Sequence, residues 1–131
     1  MPSGWTPSPY DGRDIQYSPY DGVAAVPLRA ALRHPFAVRN QADVPCCVSI
    51  VVATCMEALD AQRGRTIELS PLYHYYIARS NPNELNVLDA RTALQAASTI
   101  GICRRELHHP PFTAEGAATS PSDAARADGE R

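Results

Sequence analysis

No apolar run in the 131 residues is long enough to cross a membrane. Met1 to Ala25 also lacks a basic start followed by an unbroken apolar stretch, because Pro2, Pro7, Pro9 and Pro19 interrupt it. The expectation is a chain with neither signal peptide nor spanning helix, with the cytoplasm as default compartment. There is no excess of positive charge: the net charge of -2 offers no field for phosphates, which argues against a nucleic-acid partner. Paired ligand spacing is missing too. Cys46, Cys47, Cys55 and Cys103 do not fall in zinc-binding pairs, and His34, His74, His108 and His109 supply no second pair, so neither metal nor cofactor is expected. Two of the cysteines are neighbours and would form only a strained bridge, which speaks against a disulfide framework.

What is present is globular: 44% apolar and 20% charged residues, enough for one domain with a modest core. Residues 1–22 are rich in Pro, Gly, Tyr and Asp and carry Ser-Pro-Tyr-Asp-Gly twice, at Ser8 to Gly12 and Ser18 to Gly22. Two copies are too few for a repeat fold, so the spacing predicts two turns on an extended arm that lies across a surface. Between Val26 and Asn40, Pro27 and Pro35 flank a short Ala/Leu/Arg stretch of ambiguous character.

Three helices follow, with no strong alternating strand between them. Cys47 to Gln62 sets Cys47, Ile50, Val51, Thr54, Cys55, Ala58 and Leu59 on one face with Gly64 as a stop, which predicts the buried central helix. Ser70 as cap and Pro71 in the first position start a second helix running to about Arg79. Its Tyr73, Tyr75 and Tyr76 read as core with hydroxyls reaching water, and His74 as a surface or interlobe residue. A third helix is expected from Asn86, with Asp89 completing the cap, through Leu88, Ala93, Leu94, Ala97 and Ile100 to Gly101. Residues 112–131 have the Ala/Ser/Gly/Asp composition of a flexible tail, yet Ser120-Pro121-Ser122-Asp123 reads as an incipient helix. Only about two turns follow that start, which suggests an interrupted larger pattern.

The chemistry centres on Cys47. A thiol at a helix start has its thiolate favoured by free backbone N–H groups and the macrodipole, whereas a structural thiol packs as a small hydrophobe. Gln41, six residues earlier, can supply a side-chain amide that, with the Cys47 N–H, holds an oxyanion. Val38-Arg39-Asn40-Gln41-Ala42-Asp43-Val44-Pro45-Cys46-Cys47-Val48-Ser49 resembles the papain-family run of Gln-Gly, a short turn, Gly-Ser-Cys and the central helix. Leu69 to Tyr76 and Asn86 to Leu107 are similar to the next two helical segments of bacterial members. The resemblance spans about residues 23–111, the helical lobe of that α+β fold; the β-rich lobe is not expected in this chain.

By that resemblance Cys47 falls on the nucleophile and Gln41 on the oxyanion-hole glutamine. The departures are Ala42 for glycine, Val44-Pro45 for a small residue and glycine, Cys46 for serine, and Val48 for tryptophan or threonine. Pro45 removes only its own N–H and leaves that of Cys47 available. The family places its catalytic His and Asn roughly 130 to 150 residues beyond the cysteine, farther than this chain extends. His108 and His109 match a loop after the third helix and inherit no base role; adjacent in an extended segment, they point to opposite sides. Cys55 and Cys103 read as core thiols, and Cys46 as the occupant of the serine position rather than a redox partner. The resemblance implies a cysteine peptidase in half-site form, acting on a peptide or protein with a His- and Asn-bearing segment supplied from elsewhere. The alternative is a noncatalytic papain-like module that binds a peptide or protein. Either leaves an apolar face for a second copy or a partner subunit.

Overall fold

The computed structural model describes residues 5–14 and 34–130. The second Ser-Pro-Tyr-Asp-Gly copy and the Ala/Leu/Arg stretch before His34 lie outside them. Along the chain come β1 (Trp5–Thr6), α1 (Cys47–Gln62), α2 (Pro71–Ala78), β2 (Leu88–Asp89), α3 (Ala90–Thr99), a 3-10 turn at Arg105–Leu107, α4 (Ala114–Ala118) and α5 (Asp123–Gly129). Among the described residues, β structure is confined to the parallel pair β1–β2 and an isolated antiparallel bridge between Leu69 and Arg104.

The buried centre is α2. Pro71, Leu72, Tyr73, His74, Tyr75 and Ala78 are all buried, as befits a helix that is apolar around its circumference. It starts as expected: Ser70 accepts from the Tyr73 N–H at 3.2 Å, Pro71 fills the first turn, and the Ser70 hydroxyl also donates to the His108 carbonyl. Contrary to expectation, His74 is not at the surface. One ring nitrogen meets the Ser49 hydroxyl at 3.0 Å and the other the Ala93 carbonyl at 2.9 Å, so the imidazole ties α1, α2 and α3 together.

α1 has its expected limits but not its expected face. Val48, Ser49, Val52, Ala53, Glu57 and Ala58 are buried, while Val51, Cys55 and Leu59 are exposed. Apolar periodicity picks the wrong side because the face against α2 and α3 admits Ser49 and Glu57, whose polar atoms find partners in the interior. Cys55 is therefore no core thiol; Cys103 is.

α3 starts at Ala90, capped by Asp89 accepting from the Thr92 N–H at 3.0 Å, rather than at Asn86. The residues between are held elsewhere: Leu88 and Asp89 are extended against β1, and the Asn86 carbonyl accepts from the Tyr75 hydroxyl. α3 runs to Thr99 with Ile100 as its C-cap, and the chain turns away at Gly101, where φ is +83°.

Residues 112–130 are built into the fold. α4 and α5 are capped by Thr113 and Ser122, the latter two residues beyond the expected start, and Ala117 and Ala125 are fully buried. Small residues are required there by close approach. A Cβ on Gly129 would lie 2.6 Å from the Tyr73 hydroxyl, and one on Gly101 would collide with the Gly129 carbonyl.

Candidate active site

Two tight turns lead into α1. The Asn40 side-chain oxygen accepts from the Ala42 N–H at 2.9 Å, and the Gln41 carbonyl accepts from the Val44 N–H at 3.1 Å. The Val44 carbonyl then accepts from the Cys46 N–H at 2.8 Å across Pro45. Closing the first turn puts Ala42 at φ +49°, a left-handed conformation that suits glycine and strains alanine. Buried Val44 and Cys46 anchor the second turn to the core.

The first helical hydrogen bond of α1 runs from the Ile50 N–H to the Cys46 carbonyl at 3.0 Å, so Cys47, Val48 and Ser49 hold the helix's free N–H groups. Ser70, Asp89, Thr113 and Ser122 cap α2, α3, α4 and α5 through their side chains, whereas no side chain caps α1 and its first turn carries no acid. Among the described residues, the one α-helix start left open to an anion is thus the one that carries Cys47.

The four thiols differ in environment. Burial pushes Cys46 and Cys103 up to about 12, which keeps them protonated and inert at neutral pH. Cys47 is half-buried at the helix start, and Cys55 is exposed in mid-helix. Gln41 is half-buried on the loop before Cys47, and its carboxamide has no hydrogen-bond partner among the described residues. The structure thus joins Gln41 and Cys47 through consecutive turns.

It brings no histidine to them. His34 is paired with Glu57 at 2.6 Å and with the Phe36 carbonyl at 3.0 Å, His74 is enclosed by three helices, His108 is buried against Tyr73, and His109 is exposed beyond it. Burial lowers the pKa of both His74 and His108, with His109 adding to the effect on His108.

Sequence reasoning missed the group that fixes the loop's upstream end. Glu57 is fully buried, ten residues along α1 from Cys47. Its carboxylate accepts from Arg39 at 2.6 and 2.9 Å, from the Leu69 N–H at 2.7 Å, and meets His34. Burial alone would raise its pKa; the donors from Arg39, Leu69 and His34 outweigh that and hold it below the usual carboxylate range. Arg39, two residues before Gln41, is thereby locked to the middle of α1. A glutamate four residues on from Ala53 and eight from Ser49, on the side opposite the apolar stripe, was the available signal.

No protein-family model matches the chain, and no curated protein matches it. Among solved structures, it matches the crystal structure of xylellain, a cysteine protease from Xylella fastidiosa, with a TM-score of 0.83 and 23% sequence identity. The fold is that of a papain-like cysteine protease. The match covers 98% of this chain and 54% of xylellain, so the chain spans about half the length of the protease it matches. Within this papain-like fold, Arg39, Glu57 and the Leu69 N–H tie the nucleophile-candidate loop to α1 and to the entry of α2.

Proposed function

We propose that this chain is the nucleophile-bearing half of a papain-like cysteine peptidase. The observation that carries the reading is the helix start at Cys47, uncapped and with free N–H groups, preceded by the Gln41 turn, on a protease fold. In this reading the Cys47 thiolate attacks a peptide carbonyl carbon, while the Cys47 N–H and the Gln41 carboxamide hold the oxyanion. The C–N bond then breaks, the amine leaves with a proton from a histidine outside this chain, and water hydrolyses the acyl-thioester. Acyl transfer to another nucleophile would use the same first step. The base and its asparagine come from a further segment or a partner subunit, and the substrate is a peptide or protein. The cytoplasm stays the expected compartment; among the described residues no helix is long and apolar enough to cross a membrane.

An electrophilic peptide probe at neutral pH tests the nucleophile. Cys47 should be labelled well ahead of Cys55, with Cys46 and Cys103 slowest because their thiols stay protonated. Equal, slow labelling of Cys47 and Cys55 would sink the peptidase reading. With the missing segment supplied, Gln41→Ala should slow turnover about a hundredfold. The alternative, a noncatalytic peptide- or protein-binding module, draws on the exposed Val51, Cys55 and Leu59 along α1 and would survive a negative labelling result.

A further inference from the structure

The duplicated Ser-Pro-Tyr-Asp-Gly of the N-terminal arm plays no part in the chemistry above, yet its first copy fills a specific notch at the start of α3. The Ser8 hydroxyl donates to the Asp89 carboxylate at 3.1 Å and accepts from the Arg91 N–H at 3.1 Å. Asp89 at the same time caps α3 through the Thr92 N–H and takes the Thr92 hydroxyl at 2.6 Å. The Arg91 guanidinium reaches the Asp11 carboxylate at 3.1 Å, the Pro9 carbonyl at 3.1 Å and Asp14 at 2.7 Å. Just upstream, Trp5 and Thr6 pair with Leu88 and Asp89 as parallel strands, a contact made by backbone and hence tolerant of side-chain identity.

The notch therefore reads two extended backbone positions, a serine hydroxyl two residues on, the carbonyl after it, and a carboxylate three residues past the serine. Ile15-Gln16-Tyr17-Ser18-Pro19-Tyr20-Asp21 presents the same set at the same spacing, ten residues later. One contact is lost, since Ala24 stands where the first copy has Asp14, and one competitor is removed. Arg13, which bonds the Asp11 carboxylate at 2.6 Å and draws it from Arg91, is matched by Val23. The eleven residues between Gly22 and His34 reach roughly 35 Å when extended. That is about the width of a domain of this length, so a ten-residue slide stays within the tether.

We propose that the Asp89/Arg91 notch is a binding site for Ser-Pro-Tyr-Asp segments, and that Ser18–Gly22 of the same chain exchanges with Ser8–Gly12 for it, giving the arm two docked registers. The Arg91 amide reports occupancy, because it donates to the serine hydroxyl as well as toward the Asp89 carboxylate, and an empty notch leaves it the carboxylate alone.

The test is amide hydrogen exchange at Arg91, followed by NMR in the full chain, with the α2 amides as a measure of global stability. In a Ser8→Ala/Asp11→Asn variant, Arg91 protection should stay within about threefold of the parent. In a variant that also carries Ser18→Ala/Asp21→Asn it should fall at least about tenfold. If the first pair of substitutions alone drops protection to the level of all four, the second copy does not take the notch and the proposal is overturned. If protection in the first variant survives but is lost on hundredfold dilution, the occupant comes from another molecule and the exchange within one chain is overturned.

Discussion

Ala42 concentrates a local conflict in one residue: the turn that follows Gln41 needs a left-handed conformation, and the residue there has a Cβ. Ala42→Gly should raise the unfolding free energy by about 0.5–1 kcal/mol, read from urea denaturation, because relief of strain outweighs the added freedom of the unfolded chain. Buried titratable groups set the response to acid. His74 and His108 are held below their ordinary 6.5 by burial, so the unfolded chain binds more protons as the pH drops past that value. Their stability contribution is complete above about pH 6.5 and drains below it. Glu57 is held below its ordinary 4.5, so its contribution is lost only as the pH falls past that point. Urea midpoints measured from pH 7.5 to 3.5 should fall in two stages, the first shrinking in His74→Gln. A flat midpoint from pH 7.5 to 5 would show that the histidines contribute nothing.

Among the elements, α5 shows most directly how position governs composition. Gly101 combines φ +83° with a backbone neighbour, the Gly129 carbonyl, where a Cβ would stand. Gly64 has φ +76° and open space around it. Gly64→Ala should therefore cost about 1 kcal/mol, and Gly101→Ala about 2–4 kcal/mol, the excess being the displacement of α5 from Tyr73. Equal costs for the two would mean that α5 is not packed as described. α1 illustrates the converse. Its limits are legible because Gly64 and the apolar run mark them, but its buried face is not, since the partners of Glu57 and Ser49 lie at Arg39, Leu69 and His74 in other parts of the chain.

For the molecule as a whole, Val51 at 59% and Leu59 at 52% exposure lie with Cys55 on successive turns of one side of α1. An apolar stripe of this kind on the longest of the described helices is expected to be covered in the working assembly. Light scattering at rising concentration should show self-association, reduced toward the monomer by Val51→Lys with Leu59→Lys. A parent chain that remains monomeric at all concentrations would count against a second copy as the cover, leaving a partner subunit.

Cys47 at a helix start, Gln41 six residues before it, and the Ser70-Pro71 and Gly101 boundaries were all readable from local order, because caps, turns and helix-start electrostatics act over a few residues. What local order could not supply was decided by tertiary structure. His74 became a buried link among three helices, α2 displaced α1 as the centre, Asp89 took the cap from Asn86 because β1 holds Leu88 and Asp89 extended, and the alanine- and glycine-rich end closed onto Tyr73. Each of these turns on a partner far away in the chain, and only the folded packing says which distant groups satisfy a buried charge, hydroxyl or close backbone contact.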